Sequence, residues 1–129
     1  MKKILPLLLV CFVLLATSCV KNNNQGPNQT IFINVKTSDW KTTDGGKTYS
    51  ATYNMPAITN TVNDYYGVLV YAAFNNGIYE EIPEVYNGVA YSFSHSVGTL
   101  TLDIQGYNGT SVISAPGNFT LKTVLVTSN

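Results

Sequence analysis

The single histidine, His95, is the first candidate for proton transfer or metal binding, because an imidazole titrates near neutral pH. Glu80 precedes it, and the strand register derived below places the two side chains opposite each other on an apolar face. A Glu–His pair would supply half of a proton-transfer or metal site, but a zinc site needs at least one more ligand. Asp103 is expected on the other face. We therefore interpret His95 as a structural residue and predict neither a catalytic residue nor a metal.

Paired carboxylates would suit glycoside hydrolysis, which needs two carboxyl groups about 5–10 Å apart around one sugar. Glu80, Glu81 and Glu84 lie close together in the chain. Pro83 disturbs the spacing of Glu80 and Glu84, because proline cannot donate to an interior strand ladder. The chain also lacks the G-x-S-x-G motif of a nucleophile elbow. We interpret these carboxylates as solvated charges at strand ends and predict no enzyme.

Two further acids, Asp39 and Asp44, belong to the segment "SDWKTTDGG". Such a loop could offer oxygen ligands to Ca²⁺, but the spacing of a calcium-binding helix–loop–helix motif is absent. Aspartate is also common in turns, because its side chain accepts hydrogen bonds from the neighbouring backbone. The turn interpretation is favoured, and no cofactor is predicted.

The nine tyrosines give the strongest indication of a binding role. Tyrosine combines an apolar ring with a polar hydroxyl group, which suits sugar stacking and protein contacts as well as the edge of a core. Four aromatic residues are expected near loops and are the candidate ligand-binding residues: Trp40, Tyr65, Tyr66 and Tyr79. The competing interpretation is that the aromatic rings fill the core as cross-strand pairs.

The elements that position these side chains are expected to be β-strands. Apolar and polar residues alternate with a period of two in 31–36 and 48–53, which is typical of a strand with one buried face. The run "GVLVYAAF" is apolar on both faces, as expected for a central strand. Asn-Gly pairs at 76–77, 87–88 and 108–109 supply the two positive-φ residues of a tight hairpin. Segment 57–64 stays open between a helix after Pro56 and a strand, since its apolar residues fit both periods.

Two-residue turns at 76–77, 87–88 and 97–98 fix a register for residues 67–106. That register predicts a four-stranded antiparallel meander with one apolar and one polar face, a separation that a one-residue slip would destroy. The apolar face holds Leu69, Tyr71, Ala73, Glu80, Ile82, Glu84, Tyr86, Val89, Tyr91, Phe93, His95, Leu100, Leu102 and Ile104. The polar face holds Glu81, Pro83, Ser92, Ser94, Ser96, Thr101, Asp103 and Gln105.

An apolar sheet face needs a second layer. Segments 30–37, 47–54 and 118–127 can provide it. The sequence therefore predicts an all-β fold, an antiparallel β-sandwich of about seven strands that is immunoglobulin-like in size and spacing. A closed antiparallel barrel is the alternative. At Pro83 we expect a bulge or a switch between sheets.

The N-terminal segment has the features of an export signal. Two lysines precede the apolar residues 4–16, which as a helix would span about 20 Å and are too short for a bilayer core of about 30 Å. The residues Leu15 to Ser18 before Cys19 resemble a bacterial lipobox, whose cysteine receives a diacylglyceryl group. This resemblance implies a lipoprotein signal peptide over 1–18 and lipidation of Cys19. Cys11 lies within the apolar segment and is a poorer candidate, and an ordinary cleaved signal is the alternative.

Residues 19–29 are polar and contain glycine and proline, which predicts a lipidated flexible tether before a β-sandwich domain over 30–129. The domain carries four lysines and seven acidic residues, and the chain has no arginine. This charge balance argues against nucleic acid as a partner, because phosphate binding needs many basic side chains.

Several stretches carry a wider resemblance: "SDW", "YSATYNMPAITNTVNDYYGVLVYAAFNNG", "SVGTLTLDI" and "FTLKTVLV". They resemble small lipoproteins of Gram-negative bacteria that have one all-β domain and no assigned activity. The resemblance implies the fold and the anchor but no catalytic residue. We expect a non-enzymatic binding or structural protein of the bacterial cell envelope, anchored in the outer membrane through Cys19. Its partner would be an envelope protein or a glycan. The alternative is a glycan-binding accessory module that uses the loop aromatics.

Overall fold

The computed structural model describes residues 28–128, in which eight β-strands and one short α-helix form an all-β fold. The predictions for the signal peptide and for Cys19 lie outside the described residues. The elements are β1 (Gln29–Val35), β2 (Thr48–Asn54), α1 (Asn60–Tyr65), β3 (Gly67–Asn75), β4 (Ile78–Ile82), β5 (Glu84–Tyr86), β6 (Val89–Ser96), β7 (Thr99–Gly106) and β8 (Phe119–Val126).

The strands form two antiparallel sheets of four strands each. Sheet A has the order β1-β8-β3-β4, and sheet B has the order β2-β7-β6-β5. Both sheets contribute apolar side chains to one core, among them Val70 and Leu121 from sheet A and Leu102 from sheet B. The expectation of a two-layer β-sandwich is confirmed, and a closed barrel is not formed by the described strands.

The predicted meander is divided between the two sheets at Pro83. Strand β4 pairs with β3 in sheet A, whereas β5 pairs with β6 in sheet B. The chain crosses from one layer to the other at the Ile82–Pro83 peptide bond, which is cis. The prediction of a single four-stranded sheet over 67–106 is therefore wrong, and the expected switch between sheets at Pro83 is confirmed. The division also explains why there are eight strands rather than about seven.

The face assigned to β3 is wrong by one residue. Val70 and Ala72 are fully buried, whereas Leu69 is 37% exposed. The turn at Asn76-Gly77 forms as predicted, but the register shifts between Ala72 and Asn75. This bulge places one extra residue on β3, and an extra residue reverses the side-chain alternation relative to the partner strand.

The register of β5, β6 and β7 is the predicted one. Tyr91 pairs with Glu84 and Leu102 pairs with Phe93. Leu102 is fully buried in the core. Phe93 is partly buried and packs against the core, whereas Ser92 is exposed to solvent. The separation of an apolar and a polar face is confirmed for these strands.

Aromatic rings close one end of the core between the sheets. Phe74 of β3 stacks on Tyr86 of β5 with ring centroids 4.4 Å apart, and it also contacts Tyr91 and Phe119 at 4.7 and 4.9 Å. The core therefore contains a cross-sheet aromatic cluster, which supports the packing interpretation for these four residues.

Segment 57–64, left open by the sequence, leads into helix α1. Thr59 is its N-cap, and its side chain accepts a hydrogen bond from the backbone N–H of Val62. Ile58 and Val62 are buried, whereas Tyr65 is 70% exposed. The helical interpretation is correct for residues 60–65, because the cap and the buried pair favour a turn of helix at this crossing between sheets.

Candidate binding groove

The structure separates His95 from the carboxylates considered with it. Its Nδ1 atom lies 3.1 Å from Oδ1 of Asn63, within α1. The expected opposition to Glu80 is not formed, because Glu80 belongs to sheet A and His95 to sheet B. His95 thus connects the helix to the sandwich, and within residues 28–128 no group of three acidic, histidine or cysteine side chains could hold a metal ion.

Asp39 and Asp44 are occupied by turn hydrogen bonds. Asp39 accepts from the backbone N–H of Lys36 at 2.9 Å and from the hydroxyl of Tyr53 at 3.0 Å. Asp44 accepts from the backbone N–H of Thr48 at 2.9 Å and from its hydroxyl at 2.7 Å. These bonds to Thr48, the backbone one first, lower the pKa of Asp44 to about 2. Both carboxylates act as turn residues, as expected.

The four candidate aromatic residues occupy different environments. Trp40 is 7% exposed and belongs to the core, and Tyr66 is partly buried against it. Tyr65 is 70% exposed and Tyr79 is 37% exposed. Tyr65 is the last residue of α1, two residues before β3 begins. Tyr79 lies on β4, close to the turn that follows β3. The two exposed rings are therefore at opposite ends of a strand of nine residues.

A groove of about 620 Å³ lies on the outer surface of sheet B and is the candidate site. Two rows of register partners form its floor. Thr48, Gln105, Ala90 and Val85 make the first row, and Ser50, Asp103 and Ser92 make the second. Pro83, beside β5, forms a wall of the groove.

The floor combines an apolar part with a polar part. Val85 is 61% exposed and lies next to Ala90 and Pro83, so an apolar surface is accessible at one end. At the other end the hydroxyl of Ser50 donates to Oδ1 of Asp103 at 2.5 Å. The hydroxyl of Ser92 donates to the backbone oxygen of Asp103 at 3.3 Å. A small apolar surface beside fixed polar groups is the usual make-up of a small-molecule site.

Glu84 lies at the edge of this groove, next to Pro83. Its Oε1 atom is buried and has no hydrogen-bond partner among the described residues. Burial raises the pKa of Glu84, and the nearby negative charge of Glu80 raises it further. No basic side chain lines the groove. The site therefore offers hydrogen-bond acceptors without any positive charge.

Sequence reasoning had placed only part of this site. The predicted polar face already contained Ser92, Asp103 and Gln105 together. Thr48 and Ser50 were missed, because pairing β2 with β7 joins segments that are about 50 residues apart. The signal available was the alternation in 48–53, which leaves hydroxyl groups on the outward face of β2.

Comparison with protein-family models, with curated proteins and with solved structures gives no match to this chain. In residues 28–128, no helix has the length and apolarity needed to cross a membrane.

Proposed function

We propose that the chain is a non-enzymatic, lipid-anchored binding protein of the bacterial cell envelope. After removal of a signal peptide over 1–18, Cys19 would carry the lipid, and the residues from Cys19 up to the start of β1 at Gln29 would form the tether. The basic start, the short apolar segment and the small residues before Cys19 support this anchor. The outer membrane is the proposed location, and the domain would be immunoglobulin-like, with two antiparallel sheets over about 100 residues.

The groove on sheet B is the proposed ligand site, and a neutral saccharide is the proposed ligand. The observation that carries this proposal is the arrangement of Ser50, Asp103 and Ser92 beside the apolar surface of Val85 and Ala90. Sugar hydroxyl groups both donate and accept hydrogen bonds, so they match a set of hydroxyl, carboxylate and amide groups. The apolar surface suits the C–H face of a sugar ring.

Charge supports a neutral ligand over an anionic one. Asp103 and Glu84 are acidic, and no lysine lines the groove. A uronic acid or a sulfated sugar would bring a further negative charge to these carboxyl groups, and no lysine lines the groove to offset it.

A binding role is favoured over catalysis by the position of His95. On β6 it lies four residues beyond Tyr91, the register partner of Glu84. At about 3.3 Å per residue this separation is roughly 13 Å, too far for a proton transfer between the two side chains.

Lipid attachment is tested by metabolic labelling with radioactive palmitate in a Gram-negative host. The wild-type chain should carry the label, Cys19→Ala should lose it, and Cys11→Ala should keep it. A label that survives in Cys19→Ala would contradict the proposed attachment.

Saccharide binding is tested with the mature chain on an array that holds neutral, uronic and sulfated glycans, followed by calorimetry on the strongest neutral ligand. Ala90→Leu fills the floor of the groove and should abolish binding. Ser94→Leu adds an equally large side chain on the same outward face of β6 but outside the groove, and it should bind like the wild type. Exclusive binding of anionic glycans would contradict the proposal, as would equal binding by both variants.

The alternative is glycan stacking on loop aromatics, for which Tyr65 is the more exposed of the two accessible candidates, Tyr65 and Tyr79. Tyr65→Ala separates the two possibilities. Binding that is lost in Tyr65→Ala but kept in Ala90→Leu would favour the loop site over the groove.

A further inference from the structure

The outer surface of sheet A differs from that of sheet B, because it exposes aromatic rings and a leucine, whereas the exposed apolar side chain in the groove of sheet B is the smaller Val85. Phe32 is 60% exposed, and Leu69 and Tyr79 are each 37% exposed. One row across the sheet runs from Phe32 through Lys122 and Tyr71 to Glu81. Exposed apolar patches of this kind mark contact surfaces. The aromatic face is defined by Phe32, Leu69, Tyr71, Tyr79, Lys122 and Val124, and the exposed carboxylate of Glu81 lies at its edge.

The side chains of the aromatic face form one continuous surface around a single cation. The Nζ atom of Lys122 lies 4.5 Å from the ring centroid of Tyr71 and 4.3 Å from that of Tyr79. The rings of Phe32 and Tyr79 are 6.4 Å apart. Tyrosine rings and lysine stems have an apolar body and a polar end, a combination that suits the boundary between lipid tails and water.

The aromatic face is also on the sheet that is nearest to the proposed anchor. Strand β1, which carries Phe32, begins at Gln29, ten residues after Cys19. A flexible segment of that length reaches about 17 Å. The three residues from Gln29 to Phe32 add about 10 Å along the strand. A lipid on Cys19 would thus keep Phe32 within about 27 Å of the anchor point, near enough for the aromatic face to reach the membrane surface.

We propose that the aromatic face rests on the lipid surface, so that sheet A lies against the membrane and the groove on sheet B faces away from it. This inference rests on the lipid anchor of the proposed function. A lipid chain and a protein surface that both contact the membrane hold a domain more firmly than either does alone. The outer surface of sheet B is less suited, because Asp103 and Ser92 lie on its central strands and would lose hydrogen bonds to water on entering an apolar layer. On sheet A the exposed carboxylate, Glu81, lies on the edge strand β4, where it can stay in water.

The test uses the mature chain, whose one thiol is Cys19, coupled to a maleimide lipid in neutral phosphatidylcholine vesicles. Chemical coupling makes the orientation test independent of lipidation in cells. Tryptophan is placed on the aromatic face in Phe32→Trp and Leu69→Trp, and on the opposite sheet in Val85→Trp. Trp40 is buried in the core, away from the substituted positions, and should give a constant background in every variant.

Lipids brominated along the acyl chains should quench the added emission of Phe32→Trp and Leu69→Trp by about twofold, since interfacial side chains lie about 5–10 Å deep. Emission from Val85→Trp should be unchanged. Equal quenching on the two sheets, or none on either, would overturn the proposal. So would protection of Phe32→Trp from both brominated lipid and aqueous acrylamide, because a second copy of the chain would then cover the face. Quenching in these vesicles without palmitate labelling in cells would refute only the cellular anchor.

Discussion

Among residues 28–128, Thr123 is the one polar residue whose side chain is buried in the core, and its replacement by valine should stabilise the protein. It is fully buried on β8, between Ile31 of β1 and Val70 of β3 in the register. Its Oγ1 atom has no hydrogen-bond partner among the described residues. Valine has the same shape and carries a methyl group in place of the hydroxyl group.

The expected gain follows from the cost of burying an unpaired hydroxyl group. An unsatisfied buried donor or acceptor costs about 1–3 kcal/mol, and a buried methyl group contributes about 0.8 kcal/mol. Allowing for incomplete fit, we expect Thr123→Val to raise the free energy of unfolding by about 1–2 kcal/mol. For a domain of this size, that gain corresponds to an increase in Tm of at least about 4 °C.

The assay is urea unfolding of the mature chain followed by circular dichroism, with a thermal melt as a second measurement. Thr120→Val on the same strand is the matched control, since Thr120 is partly exposed and faces outward. It should change the stability by no more than about 0.5 kcal/mol. A loss of stability in Thr123→Val would refute the reasoning, because it would show that the hydroxyl group has a partner. Equal effects in both variants would refute the register of β8.

Three further outcomes are expected. Leu102→Ala should lower the free energy of unfolding, measured in urea, by about 2–5 kcal/mol, because Leu102 is fully buried. Ser94→Ala at an exposed position should leave that free energy nearly unchanged, and similar effects of the two substitutions would contradict the assigned faces of β6 and β7. The pKa of Asp44 falls from 3.8 to about 2 on folding, so the stabilisation that its carboxylate provides is present above pH 3.8 and is lost as the pH falls toward 2. In thermal melts over that pH range, Asp44→Asn should show a smaller drop in Tm than the wild type, and an equal drop would contradict the hydrogen bonds of the turn. The pKa of Glu84 is raised above 4.5 on folding, so the stability of the fold decreases as the pH rises above that value and the buried carboxyl group ionises. Between pH 4 and pH 7 the Tm of Glu84→Gln should fall by less than the Tm of the wild type, and an equal fall would argue against the burial of this carboxyl group.

Local patterns in the sequence predict most of the strands and their turns. At Asn87-Gly88 both residues have positive φ angles, as the hairpin between β5 and β6 requires. The alternation around Leu102 correctly predicts which side chains of β7 are buried. These features depend on residues close together in the chain, so they can be read without knowledge of the packing.

The candidate site could be predicted only in part. Ser92 and Asp103 lie on adjacent strands joined by a tight turn, and their shared face follows from the turn alone. The contribution of Ser50 depends on pairing β2 with β7 across about 50 residues. No local pattern specifies that pairing, since several strands of similar polarity were available as partners.

By itself, the sequence determines that this chain is built from strands, where most of them reverse and which side of β6 and β7 is apolar. It also contains the short apolar segment and the cysteine from which the anchor is proposed. Only the tertiary structure decides that β4 and β5 belong to different sheets, that a bulge reverses the face of β3, and that Phe32, Tyr79 and Lys122 meet on one surface. These outcomes depend on contacts between distant segments, and such contacts are selected by how the whole core packs.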